Sequence, residues 1–97
     1  MRVAALRVEI RLPAAQSLKQ KRAILRPILE GIRKIGSYSV AEVDGHDYWQ
    51  RCTLAVAVAA RDGRSLDMQL NKLRRYLDSR GEIEVVDVFK SELERPE

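Results

Sequence analysis

The hydrophobic pattern of this 97-residue chain switches period four times, between the two-residue repeat of a strand and the 3.6-residue repeat of a helix. Few folds accommodate that order. Leu6, Val8, Ile10 and Leu12 alternate with Arg7, Glu9 and Arg11, which predicts a half-buried strand over residues 4–12. Leu18, Leu25, Ile28, Leu29, Ile32 and Ile35 then recur at helical spacing and stop at Gly36. Ser17, with Gln20 three residues on, forms a capping box at the helix start. Pro27 removes a backbone donor and clashes with the Ala23 carbonyl, so a kink or irregular early turns are expected.

Residues 37–44 read as a second strand, Asp44-Gly45-His46-Asp47-Tyr48 as a turn and residues 50–60 as a third strand, together a hairpin. Arg61-Asp62-Gly63-Arg64 breaks the alternation. Leu66, Leu70, Leu73 and Leu77 mark a second helix ending near Gly81, and residues 83–89 a fourth strand. The charged, Pro96-containing stretch 92–97 reads as a frayed tail, leaving 1–91 as a single domain.

The order βαββαβ packs most simply as an α+β ferredoxin-like sandwich, a four-stranded antiparallel sheet with both helices on one face. Strands one and three are then the central pair. Strand three places Cys52, Leu54, Val56 and Val58 on one face and Thr53, Ala55, Ala57 and Ala59 on the other, so the larger side chains belong under the helices. Val85, Val86, Val88 and Phe89 fit neither alternation, which predicts a bulge or burial on both sides of strand four.

Charge is unevenly spread. The net charge is +4, yet residues 1–34 alone hold nine basic side chains against two acidic ones, a local +7 of the kind that attracts polyanions. Arginine enrichment and few Gly or Pro fit a GC-rich genome or a high growth temperature. One cysteine excludes an intrachain disulfide. With neither a signal-peptide pattern nor a long apolar run, a soluble cytoplasmic protein without membrane contact is expected.

Three spaced motifs carry a resemblance: Ser17-Leu18-Lys19-x-Lys21-Arg22, Ser39-Val40-Ala41-Glu42-Val43-Asp44 and Trp49-Gln50-Arg51. In this order, over nearly the whole chain, they resemble the YlxP-like family of small bacterial proteins, a domain of unknown function. The resemblance implies a ferredoxin-like fold and no particular activity. Genes of that family often sit among those for translation initiation and ribosome maturation, which implies a ribosome-linked or RNA-linked role by association. Pro27 and the Gly45-His46 turn depart from the family pattern.

Candidate sites follow from the charge. Positive side chains in a first helical turn oppose the helix dipole, at about 0.3–1 kcal/mol each, and such a site favours an anion. Ser17, Lys19, Lys21, Arg22 and Arg26, with Arg7 and Arg11 nearby, are therefore the candidate nucleic-acid or anion site. Positions 19, 22 and 26 share one helix face. The alternative is an ordinary solvated face. Structured RNA, ribosomal RNA included, is the partner this site suggests; a small anion or nucleotide at the Ser17 helix start is the other ligand it could take.

Two other surfaces stay open at this level. The turn residues Asp44, His46, Tyr48, Trp49 and Arg51 could bind a partner, or Trp49 could close one end of the core while Arg51 pairs with Glu42 or Asp44. The alanine-rich open face could join two copies in a homodimer; it lacks the exposed aromatics on central strands that a stacking RNA platform needs. One histidine and one cysteine fall short of recognised metal-ligand spacing, so Glu42, Asp44, His46 and Asp47 are not expected to hold a metal. Cys52 reads as a small buried hydrophobe. No nucleophile elbow, Walker sequence, CxxC or HExxH occurs, so neither catalysis nor a cofactor is expected.

Overall fold

The computed structural model describes residues 1–94 and runs β1 (Arg2–Arg11), α1 (Leu18–Ile35), β2 (Tyr38–Asp44), β3 (Arg51–Ala60), α2 (Gly63–Asp78) and β4 (Glu84–Glu94). The four strands form one antiparallel sheet in the order β2-β3-β1-β4, with β1 and β3 central as the periodicity requires. Both helices pack on one face. Their apolar stripes, Leu25, Ile28 and Ile32 from α1 and Leu66, Leu73 and Leu77 from α2, bury against Leu6, Val8 and Ile10 of β1 and Cys52, Leu54, Val56 and Val58 of β3. Complete burial of one such leucine or isoleucine contributes about 1.5–3 kcal/mol.

The helix ends follow local chemistry. Ser17 is extended, and its Oγ accepts the Gln20 N–H at 3.1 Å. The reciprocal half of the capping box is shifted by one residue, because Gln20 Oε1 accepts from Gln16 N–H at 2.7 Å instead of from Ser17. Asp62 caps α2, with Oδ1 accepting the Ser65 N–H at 2.8 Å; the residues that end β3 are thus also the helix start. Helix α1 is continuous through Pro27, which sits on its exposed side. Tyr76 of α2 packs over Gly31 of α1, where a Cβ would lie 1.8 Å from Tyr76 Oη.

Two register shifts shape the sheet. Between β1 and β4, Glu9 faces Asp87 while Ile10 faces Val85, so Val86 is an extra, exposed residue. That bulge explains why valines 85, 86 and 88 fit no single alternation. Between β2 and β3, Glu42 faces Leu54 and Asp44 faces Thr53, which leaves Val43 as the extra residue. Strand β4 also continues past Phe89, the expected end of the fourth strand, to Glu94; residues 95–97 of the expected tail lie outside the described residues. Its continuation pairs Ser91 with Ala5 and Leu93 with Val3, so the segment gains a full ladder on β1.

Candidate nucleic-acid interface

Position 21 lies on the apolar stripe of α1, four residues before Leu25, and position 42 lies on the core-facing alternation of β2 after Tyr38 and Val40. Both carry charge where the pattern asks for an apolar residue. They meet. Lys21 is 2% exposed, its Nζ lies 2.9 Å from Glu42 Oε2 and it donates to the Gly45 carbonyl at 2.6 Å. The carboxylate contact is short but off the hydrogen-bond direction, so Glu42 Oε2 is charge-paired without an aligned donor. Gly45 can present its carbonyl because it adopts φ +83°, a left-handed conformation that suits glycine; an added Cβ would lie 3.0 Å from Cys52 Cα. Lys21 is therefore a tether between α1 and the β2–β3 turn, and it leaves the expected anion-binding group. Ser17 is likewise committed to the cap.

The other three α1 cations behave differently. Lys19, Arg22 and Arg26 are exposed and line one shallow groove with Ala23 and Pro27, and no ion pair engages them among the described residues. No acidic side chain occurs in α1 before Glu30. Helix α2 extends the same surface with Arg64, Lys72, Arg74 and Arg75, a contribution missed when positive charge was assigned to the first third of the chain. In all, the helical layer exposes nine cations, including Arg33 and Lys34, against Glu30, Asp67 and Asp78. Arg74 is paired with Asp78 at 3.1 Å and Arg33 donates to the Val40 carbonyl, so seven have no ion pair or hydrogen bond of this kind among the described residues.

Arg7 and Arg11 do not join this group. Strand alternation sends them to the open face of the sheet, the opposite side from the outward surface of α1. Arg7 is held by Glu9 at 2.9 Å and lies 5.8 Å from the Phe89 ring centroid. Arg11 instead lines a cleft with the β2–β3 loop. In that loop Trp49 is 51% exposed and does not close the core, the opposite of the packing role considered for it. Arg51 pairs with neither Glu42 nor Asp44; its guanidinium stacks on Tyr48, 3.9 Å from the ring centroid. Asp44 Oδ1 accepts the Gly45 N–H at 2.8 Å, which pins the turn, and His46 Nε2 lies 3.9 Å from Glu42 Oε1.

The open face carries more apolar surface than strand three alone suggests. Register aligns Ala59, Val3 and Leu93 in one row, Ser39, Ala57, Ala5 and Ser91 in the next, and Ala41, Ala55, Arg7 and Phe89 in a third. Phe89 and Leu93 are each 54% exposed. The alternation Phe89, Ser91, Leu93 is legible, but the expected fourth strand stops at Phe89 and Leu93 falls in the charged stretch expected to be tail. Cys52 is free and 2% exposed, and burial pushes its thiol up to about 12, with Glu42 adding to the shift and Lys21 opposing it. Among the described residues no three His, Cys, Asp or Glu side chains are placed to hold a metal ion, and no helix is long and apolar enough to cross a membrane.

Comparison with known proteins agrees with this architecture. Uncharacterized protein YlxP of Bacillus subtilis (strain 168) is 33% identical over 70 residues, which is 72% of this chain and 76% of that protein. A de novo designed protein with a ferredoxin fold, LFR1 1, superposes with a TM-score of 0.52 at 13% identity, over 100% of this chain and 88% of that one. Rv0793 from Mycobacterium tuberculosis does so with a TM-score of 0.50 at 20% identity, covering 100% and 97%. At such identities the two structures speak to the fold alone. Residues 3–89 match the family described as protein of unknown function (DUF503), and the chain belongs to that family.

Proposed function

We propose that the protein is a non-catalytic RNA-binding accessory protein, ribosome-associated, that docks the helical layer on the phosphates of a structured RNA. The observation that carries this reading is the groove of Lys19, Arg22 and Arg26, three exposed cations on one helix face with no acidic partner among the described residues. Holding them together costs repulsion in the free protein, and a phosphate backbone removes that cost while releasing counterions. The α2 cations Arg64, Lys72 and Arg75 widen the surface beyond a single helix end, which suits a polyanion better than a small anion. Recognition of this kind reads shape and phosphate position with modest sequence preference. Binding of a structured ribosomal RNA fragment by the native protein and by a folded Lys19→Glu, Arg22→Glu, Arg26→Glu variant tests it. Loss of binding in the variant supports the reading, and equal binding removes it.

A second reading rests on a different surface. The uncharged rows of the open face, bordered by Arg7 and Glu9, suit sheet-on-sheet packing of two copies, which would leave both helical layers outward. Sedimentation of the native protein and of a Phe89→Glu variant over a concentration series tests it. A dimer that the variant dissociates supports this reading; a monomer at every concentration removes it.

A further inference from the structure

Arg11 and Arg51 are directly opposite each other on the central strand pair, an arrangement that places Cβ atoms about 4.5–5.5 Å apart and sets like charges against one another. Neither guanidinium is ion-paired with a carboxylate among the described residues, although Glu84 is the neighbour of Arg11 on β4. Both line a shallow, open cleft of about 650 Å3 together with the exposed faces of Trp49 and Tyr48. The cleft is braced. Gln50 donates through Nε2 to the Pro13 and Ala15 carbonyls at 3.2 and 3.1 Å, and its own carbonyl accepts the Leu12 N–H at 2.8 Å, so the β1–α1 turn and the loop before β3 form one unit. Tyr48 and Arg51 are stacked on each other, which fixes a flat wall in advance.

We propose that this cleft binds one unpaired nucleotide, its base stacked on the Trp49 indole and its phosphate between the Arg11 and Arg51 guanidiniums. The ligand class rests on the RNA reading above, whereas the site shares no residue with the α1 groove. Two facing arginines gain most from a single shared anion, and their planar forks match a phosphate. An exposed indole beside a preformed arginine–tyrosine stack offers the aromatic surface on which unpaired bases stack. Asp47, which also lines the cleft, supplies an acceptor for an exocyclic amino or ribose hydroxyl group. The sheet face as a whole lacks a central-strand aromatic platform; the stacking surface is at its end, in the loop.

Trp49 is the sole tryptophan, so its fluorescence reports this cleft. The intact protein is titrated at constant ionic strength with a single-stranded RNA tetranucleotide, an abasic phosphodiester of equal length, inorganic phosphate and an acidic peptide of equal charge. A saturable change with the tetranucleotide alone is expected, weakened about tenfold or more in an Arg11→Gln, Arg51→Gln variant and retained in the Lys19, Arg22, Arg26 variant. No change with the tetranucleotide overturns the proposal. Equal response to the abasic chain or to phosphate reduces the cleft to an anion site and overturns base stacking, and a response to the peptide alone assigns it to a protein partner. Loss of structured-RNA binding in the α1 variant is read separately, so failure of either surface leaves the other measurable.

Discussion

Replacing Lys21 by methionine is expected to destabilise the fold by about 2–4 kcal/mol, whereas the same change at the neighbouring Lys19 costs under about 0.5. Removing one partner of a buried ion pair usually costs about 3–5 kcal/mol, because the remaining charge stays desolvated. Glu42 keeps 20% side-chain exposure and has His46 at 3.9 Å, both of which lower that figure. Loss of the charged donor to the Gly45 carbonyl adds to it, and methionine fills the space of the lysine stem, so no cavity term enters. Urea melts followed by circular dichroism measure the difference, and a Lys21→Met, Glu42→Leu double variant separates pair from site. The double variant is expected to recover at least about 1 kcal/mol relative to the single change. A Lys21→Met protein within about 0.5 kcal/mol of native would refute the tether. The same reasoning makes a charge reversal at Lys21 a poor probe of ligand binding, since it breaks the fold first.

Gly31→Ala removes a glycine from a helix interior, which alone would stabilise by about 1 kcal/mol, yet the 1.8 Å approach to Tyr76 Oη predicts a net loss of about 1–3 kcal/mol, partly restored by Tyr76→Phe, in thermal melts. The Cys52 thiol, pushed from 9.0 to about 12 by burial, has about a thousandfold less thiolate near pH 8, so iodoacetamide labelling should track the small population of opened molecules; labelling of the native protein as fast as of the urea-unfolded chain would contradict its burial. The Asp62 carboxyl is held below its usual range, first by the Ser65 backbone N–H. A lowered folded-state pKa means stability that is present above the unfolded value near pH 4 and lost as pH falls through the folded one. Asp62→Asn should therefore be less stable than native at neutral pH, with the gap closing as pH falls through the folded-state value. A gap that is constant with pH would exclude that cap's charge as the cause.

The periodicities of two and 3.6 were enough to read the element order, the central strand pair and the core face of β3, because each depends on which side of one element is apolar. What escaped depends on relations between elements. Lys21 looked like one more cation of a basic run, although its place on the Leu25, Ile28, Ile32 stripe and the place of Glu42 on the Tyr38, Val40 alternation already marked both as charges in core positions. Only their meeting across α1 and β2 shows that each satisfies the other. For Trp49 the sequence leaves partner binding and core closure both open; its exposure follows the Val43 bulge and the Gly45 turn, and bulges have no fixed sequence signal. The α2 cations were hidden by acids that follow in the sequence and belong to another element, since the negative balance of residues 61–97 comes from β4, where Glu84, Asp87, Glu92 and Glu94 stand against Lys90.

The central claim is that phosphates of an RNA meet the outward face of α1. Fluorescence anisotropy of a labelled structured ribosomal RNA fragment, titrated with native protein and with the folded Lys19→Glu, Arg22→Glu, Arg26→Glu variant between about 50 and 200 mM salt, tests it most directly. If each of these three side chains neutralises one phosphate, affinity falls steeply with salt, and the slope of log K against log salt is shallower in the variant by about 2–3. No binding by the native protein at low salt, or equal slopes for both proteins, would contradict the account.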